Sequence, residues 1–415
     1  MCTRSQFRVC ARTLALLLLI ISGKNIYADL GGLQIGLSGM TSAGLSSEPN
    51  QTLQNLQAGG HDPNRNGFTI QNVELSLSAA VDPYWDAQVN IVSLITTDGQ
   101  SLFELEEAFF ISRALPFGLQ LKGGQFYTEF GRHNAQHPHT WAFVDQPVIA
   151  NRLLGPDGLR SQGGRISWLA PSPWFSELFF AIQNASGETT TSFIGNGSGH
   201  GHGAAEEETL PAFAEHLLVD RPINGIDDFL YSSRWLNSVD IGDTLSTNLG
   251  LSGLLGPNNT GLSTYTTVVA ADFYVKWQAV QSNKGFPFIS WHTELMQRQY
   301  LAGDETATDH NRLKDTGLFS YVLWGFHPGW VAGVRYELAN GVETDAAEHD
   351  HSAEEIDPLR DLRQRISANL TYFPSEFSKI RVQYNNDTAD SINRTAHSLW
   401  LQFEYTIGAH MAHQF

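Results

Sequence analysis

Fifteen histidines are spread unevenly over the 415 residues. Three stretches place two of them one residue apart, each with acids nearby. The first is Arg132-His133-Asn134-Ala135-Gln136-His137-Pro138-His139, with Asp145 shortly after. The second is Gly199-His200-Gly201-His202-Gly203, followed by Glu206, Glu207, Glu208 and then His216. The third is Glu348-His349-Asp350-His351, flanked by Glu343, Asp345, Glu354 and Glu355. Neutral imidazole is the usual protein ligand for Zn²⁺, Cu²⁺ and Ni²⁺, and carboxylates complete such sites. Two histidines one residue apart on pliable backbone can reach the same ion. The candidate metal ligands are therefore His133, His137, His139, Asp145, His200, His202, His216, His349 and His351. Ligands that must be ordered on binding give modest affinity. The Gly-His repeat reads as a capture arm. The first stretch reads as a packed segment, because Pro138, Trp141, Phe143 and Pro147 accompany it. It is the first candidate for a defined site. The plainer alternative for Asp145 and His133 is a hydrogen bond that fixes a loop.

The elements that must carry these loops are strands. At the end of the chain Leu399, Leu401, Phe403, Tyr405, Ile407, Ala409, Met411 and Phe415 fall on one face. Gln402, Glu404, Thr406, Gly408, His410 and Gln414 fall on the other. Period two is the strand period. A long amphipathic strand closing on an aromatic reads as the last strand of a bacterial outer-membrane barrel. Phe415 is then the signal for the barrel assembly machinery. The same alternation recurs in Val73, Leu75 and Leu77 against Glu74, Ser76 and Ser78, and in Phe103, Leu105, Phe109 and Ile111, taken together as one apolar face. It recurs again in Ile289, Trp291 and Leu295 against His292, Glu294 and Arg298, and in Ile366, Ala368 and Leu370 against Arg365, Ser367 and Asn369. A polar inner face implies a wet lumen.

Short turns fall at 82–83, 116–117, 171–173, 240–243, 284–287, 327–329 and 373–375. Polar connections fall near 41–66, 97–100, 129–157, 186–226, 256–262, 301–315, 341–361 and 387–394. Their interleaving predicts an all-β chain: a transmembrane antiparallel up-and-down β-barrel of about 16 strands (range 14–18), with long outer loops and short periplasmic turns. A third loop folded inward as a constriction is a common device of such barrels. Aromatic residues near strand ends read as interfacial girdles.

Arg4, Arg8 and Arg12 precede an apolar run over 13–22, too short to cross a bilayer and typical of a secretory leader. Cleavage after Ala28 leaves residues 29–415 as one barrel domain in the outer membrane. Both cysteines, Cys2 and Cys10, lie in the leader, so no disulfide or thiolate chemistry is expected. Acids outnumber bases by 43 to 25. That balance argues against nucleic acid as a partner and against an anion-selective pore, and it favours cations. No nucleophile–base–acid spacing stands out around Ser290, His292 and Glu294, so no enzyme is expected.

Glu104-Leu105-Glu106-Glu107-Ala108, Gly124-Gln125-Phe126, Phe130 to Asn134, His137-Pro138-His139 and Val144-Asp145-Gln146-Pro147 together resemble a family of short bacterial outer-membrane proteins. These are labelled zinc-regulated or TonB-dependent receptor-like. The resemblance covers most of residues 29–415 and is most specific at the His-Pro-His stretch. It implies a porin-like barrel with His-rich outer loops that transports a metal, with zinc the leading candidate. A TonB-dependent receptor carries a plug domain before its first strand. Strands here begin at about Gly32, which leaves no room for a plug and favours passive or facilitated diffusion. The reading is an outer-membrane channel for divalent metal ions. Zn²⁺ or another divalent transition metal is the carried ligand, and no resident cofactor is required. Its alternative is a general or solute-selective porin without metal specificity. Expected partners are outer-membrane lipid, divalent metal ions and the assembly machinery, with a homotrimer as the assembly to test. An adhesin or phage receptor built on the same loops would make no demand on histidine.

Overall fold

The computed structural model describes residues 32–96, 99–195, 218–219, 221–303, 310–343 and 357–408. The leader, His200, His202, His216, His349, His351 and Phe415 lie outside the described residues.

Sixteen described strands run β1 (Gln34–Ser46), β2 (Gly67–Ala80), β3 (Trp85–Ile95), β4 (Ser101–Ser112), β5 (Leu119–Tyr127), β6 (Arg160–Leu169), β7 (Phe175–Asn184) and β8 (Phe229–Ile241). They continue β9 (Leu245–Pro257), β10 (Tyr265–Asn283), β11 (Phe286–Gly303), β12 (His310–His327), β13 (Trp330–Glu343), β14 (Arg363–Ser375), β15 (Ser378–Ala389) and β16 (Ala396–Gly408). Each pairs antiparallel with its sequence neighbours. β1 closes on β16 from Gly36 opposite Gly408 to Ser46 opposite Ser398. Closure removes every sheet edge, which a bilayer requires because it offers no water to unpaired backbone groups.

The alternation sorts as the sequence implies. In β16 Leu399, Leu401, Phe403 and Ile407 are 43–59% exposed on the outer surface, whereas Trp400, Gln402 and Glu404 inside are 0–6% exposed. Ile366 and Leu370 face outward between buried Arg365, Ser367, Asn369 and Thr371. Trp174, Phe175, Tyr372 and Phe373 are exposed at the short-turn rim.

β4 departs from the expected single apolar face. Asn90 pairs with Glu107 and Ile91 with Leu105, so Glu106 is an extra residue. This β-bulge turns Glu106 and Glu107 inward together and reverses the phase beyond it. Phe103, Leu105 and Phe110 are exposed outside, while Phe109 and Ile111 line the lumen.

The lumen is also drier than a wet pore implies. Residues 128–159 fold into it as a crossing loop. The loop holds a 3₁₀ turn (Pro138–Thr140) and, counting α1 as Asn50–Leu56 in the first loop, a helix α2 (Val148–Leu154). Ile149 and Leu153 of α2, with Phe130, pack on Phe193, Met296 and Phe319 in one buried cluster. Each such side chain contributes about 1.5–3 kcal/mol on burial. Leu53 of α1 and Val144 of the crossing loop meet on Trp400. Trp400 lies flat on β1 because Gly44 opposite has no Cβ, which would sit 2.1 Å from the indole ring.

The far end of the crossing loop is held by a buried ion-pair network. Both Asp145 oxygens accept hydrogen bonds: Oδ1 from Arg335 and Gln383, and Oδ2 from Arg365, Gln57 and Asn385. Burial opposes its charge, but the Arg335 and Arg365 guanidinium groups lower its pKa below the ordinary value. Asp62 sits beside this network and accepts from the Gly59 and Gln146 amides. Burial pushes its pKa up to about 7, and the Asp145 charge adds to the rise.

Two outcomes follow from this packing. Removing one partner of a buried pair costs about 3–5 kcal/mol. Asp145→Ala therefore loosens the crossing loop, and hydrogen exchange over residues 128–159 will speed up while heat-modifiable gel mobility still reports a closed barrel. Asp62 has a raised pKa, so the fold favours its protonated form. The stability it contributes is complete below about pH 4 and is lost as pH climbs through about 7, even though the Gly59 and Gln146 amides favour the ionised form. Thermal stability of the barrel will be lower at pH 8 than at pH 5.5, and Asp62→Asn will reduce that difference.

Candidate functional site

Where the crossing loop meets β2 to β5, a cluster of ionisable side chains faces the lumen. β2 supplies Glu74. The β4 bulge supplies Glu106 and Glu107, β3 supplies Asn90, and β5 supplies Lys122 and Tyr127. The loop supplies His137 and His139. Its neck is fixed by Asn134, which donates to the Thr128 and Leu159 carbonyls and accepts from the Leu159 amide. Pro138 sets the 3₁₀ turn, whose Thr140 amide and hydroxyl both donate to the His137 carbonyl. The two imidazoles therefore stack, with centroids 5.7 Å apart.

His137 is surrounded by carboxylates. Its Nδ1 lies 2.9 Å from Glu106 Oε2 and 3.4 Å from Glu74 Oε1, and its Nε2 lies 3.1 Å from Glu107 Oε2. His139 Nδ1 lies 3.1 Å from Glu74 Oε2. The acids are held in turn. Tyr127 donates its hydroxyl to Glu106 Oε1 at 2.6 Å and its amide to Glu107 Oε1 at 3.1 Å. Ser76 donates to Glu74 Oε1 at 3.0 Å, and Asn90 to Glu107 Oε2 at 3.1 Å. Lys122 Nζ is 3.8 Å from Glu107 Oε1 and lies over the Phe109 ring. Burial alone would lower the His137 pKa, but the charges of Glu74 and Glu106 outweigh it and raise the pKa well above the ordinary imidazole value. Among the described residues, Glu74, Glu106 and His137 form the group of donor atoms close enough to share one metal ion, all within 4.8 Å of one another.

The wall beyond β1 and β16, on β15, is basic. Arg381 donates to the Trp141 carbonyl at 2.8 Å, and Lys379 donates to the His139 carbonyl at 2.7 Å while pairing with Glu404. The loop is thus gripped through imidazoles on its acidic side and through carbonyls on its basic side. Two cavities open toward the short-turn end beneath it, about 890 Å³ beside the acidic wall and about 440 Å³ beside the basic one. Arg132, Gln136, His139 and Thr140 of the loop line both.

The four loop residues expected to form one site are divided. His137 and His139 enter the acidic cluster. Asp145 spends both oxygens on the far-wall donors, and is a loop anchor there. His133 packs against Trp141 and Phe319. Burial, with the charges of His292 and Arg335, lowers its pKa to about 3. Its amide and that of Arg132 donate to Glu294 Oε1. Gly131 makes this wrap possible: its φ is +58°, and a Cβ would meet Glu294 Oε2 at 2.3 Å. His292 uses its two nitrogens on Glu294 and Tyr321. Sequence reasoning missed Glu74, Glu106 and Glu107 as site residues. The signal was present: two adjacent acids in an alternating strand can both face inward only through a bulge.

No protein-family model matches this chain. An uncharacterized protein of Aquifex aeolicus (strain VF5) is 29% identical over 380 residues, covering 86% of this chain and 73% of that one. The outer membrane channel DcaP of Acinetobacter baumannii superposes with a TM-score of 0.52 at 10% identity, over 90% of this chain and 96% of that one. An anion-selective porin from Comamonas acidovorans gives 0.50 at 10% identity, over 90% and 100%. With its closed antiparallel sixteen-strand sheet, apolar outside and charged within, the chain has the fold of the outer-membrane porin-like barrels.

Proposed function

We propose that the chain is an outer-membrane channel for small hydrophilic solutes, narrowest at the crossing loop. The observation that carries this is a pair of oppositely charged walls that border the crossing loop and the two cavities. Glu74, Glu106 and Glu107 on β2 and β4, and Lys379 and Arg381 on β15, further round the sheet past β1 and β16, grip the crossing loop from two sides. These side chains spend their polar atoms on the loop or border the two cavities. Such a transverse field orients polar solutes and slows apolar ones. The outward apolar strand faces suit membrane lipid, and the short-turn rim suits the periplasmic side.

Two features favour cations as the better-conducted ions. The whole chain carries a formal charge of −18, and the larger cavity lies on the acidic wall. Passage of divalent metal ions, zinc among them, is the narrower reading. It is supported by the His137 and carboxylate cluster bordering that cavity, and by the histidine pairs of the outer loops.

Purified barrels in a planar bilayer under a KCl gradient will show discrete conductance steps and a reversal potential of cationic sign. Glu74→Gln with Glu107→Gln will shift that potential toward zero. An absence of steps would sink the channel reading. A cation-selective pore that admits Zn²⁺ into chelator-loaded vesicles no faster than Mg²⁺ would leave a general porin.

A further inference from the structure

We propose that Glu74, Glu106 and His137 form a binding site for one divalent transition-metal ion, which clips the crossing loop to the barrel wall. The proposal concerns a resident ion, and it holds whether or not metal crosses the channel.

Four observations carry it. The first is a pair of buried polar atoms. Glu106 is 1% exposed, yet its Oε2 has no hydrogen-bond partner, and neither has His137 Nδ1. The two atoms face one another at 2.9 Å as an ion pair, a contact that needs either a proton on Nδ1 or another cation between them. An unsatisfied buried carboxylate oxygen costs free energy unless a cation completes it.

The second is spacing. Donor atoms 2.9 and 3.4 Å apart match the edges of a coordination polyhedron with bonds of roughly 2.0–2.2 Å. One imidazole and two carboxylates suit Zn²⁺, or Mn²⁺ and its neighbours, and leave room for water.

The third is the support behind each ligand. The far nitrogen of His137 is held by Glu107, the far oxygen of Glu106 by the Tyr127 hydroxyl, and the far oxygen of Glu74 by His139. A carboxylate on the distal nitrogen is the usual way a metal-binding imidazole is oriented and its basicity raised. Such complete backing is not needed by a ring that only fills space.

The fourth is charge. Three carboxylates face one ammonium, Lys122, and two imidazoles. An ion that displaces the proton held between His137 and its carboxylates meets a formal excess of two negative charges, equal to its own charge. The ligands also come from separate elements: β2, the β4 bulge and the crossing loop. One ion would therefore cross-link the constriction to its wall, and the adjoining cavity gives it a path in.

The test uses the refolded full-length barrel with His200, His202, His349 and His351 changed to Ala, so that outer-loop histidines do not contribute. Zn²⁺ alone is titrated by calorimetry, and hydrogen exchange is followed over residues 136–140. The expected result is one Zn²⁺ per barrel, at least tenfold weaker binding in Glu106→Gln and in His137→Gln, and Zn²⁺-dependent protection of 136–140 that both variants lose. Heat-modifiable mobility verifies the fold of each, and Glu74→Gln replaces either one that fails to close. Absence of stoichiometric binding, or affinity unchanged in the folded variants, overturns the proposal. Conducting barrels that bind no Zn²⁺ overturn this site alone. Zn²⁺-binding barrels that do not conduct overturn only the channel reading.

Discussion

One buried carboxylate decides what the inside of this barrel is. Asp145 sits between Arg335 and Arg365 and collects five side-chain hydrogen bonds from β13, β14, β15 and the first loop. Removing three charges from water is expensive, and only near-complete pairing recovers it. That pairing is available in one position of the crossing loop. Once Asp145 is seated, Val144 falls on Trp400, α2 falls on the β11–β13 wall, and His137 is carried to the opposite side. The constriction is therefore a bridge with fixed abutments, built across the lumen before any solute meets it.

The near abutment depends on an irregularity. A regular β4 would present one of Glu106 and Glu107 to the lumen and the other to lipid, where an ionised side chain is costly. The bulge turns both inward and brings Phe109 in with them, under Lys122. A defect in strand periodicity thus concentrates acid at one point of the wall. Opposite it, the basic residues need no such device, because Arg363, Arg365, Lys379 and Arg381 already fall at inward positions of two regular strands.

The two walls hold the loop by different chemistry. Lys379 and Arg381 bind its carbonyls, which every residue carries, so that side constrains backbone and tolerates sequence. The acidic side binds imidazoles, so it constrains identity at His137 and His139.

Strand period two, turn residues and an apolar–polar division by face are local properties, and they were legible along the chain. They determined the sheet, the number of strands within a narrow range and the direction each side chain of β14 and β16 points, whereas the inward-folded loop was expected from the habit of such barrels, with its Pro and aromatic content as local support. Register and long-range partners were not legible. Nothing near Asp145 in sequence announces Arg335 and Arg365 about two hundred residues away, and an Asp beside histidines reads as a ligand until those donors occupy it. His133 and His137 are four residues apart, yet the turn at Pro138 and the wrap of Gly131 around Glu294 send them to different neighbours. Glu74 and Glu106 became a site only when pairing on either side of β3 fixed the registers of β2 and β4 and the bulge rotated Glu106 inward. Periodicity is written in each strand. Which loop atom meets which wall is set by closure of the whole sheet, and that only the tertiary structure decided.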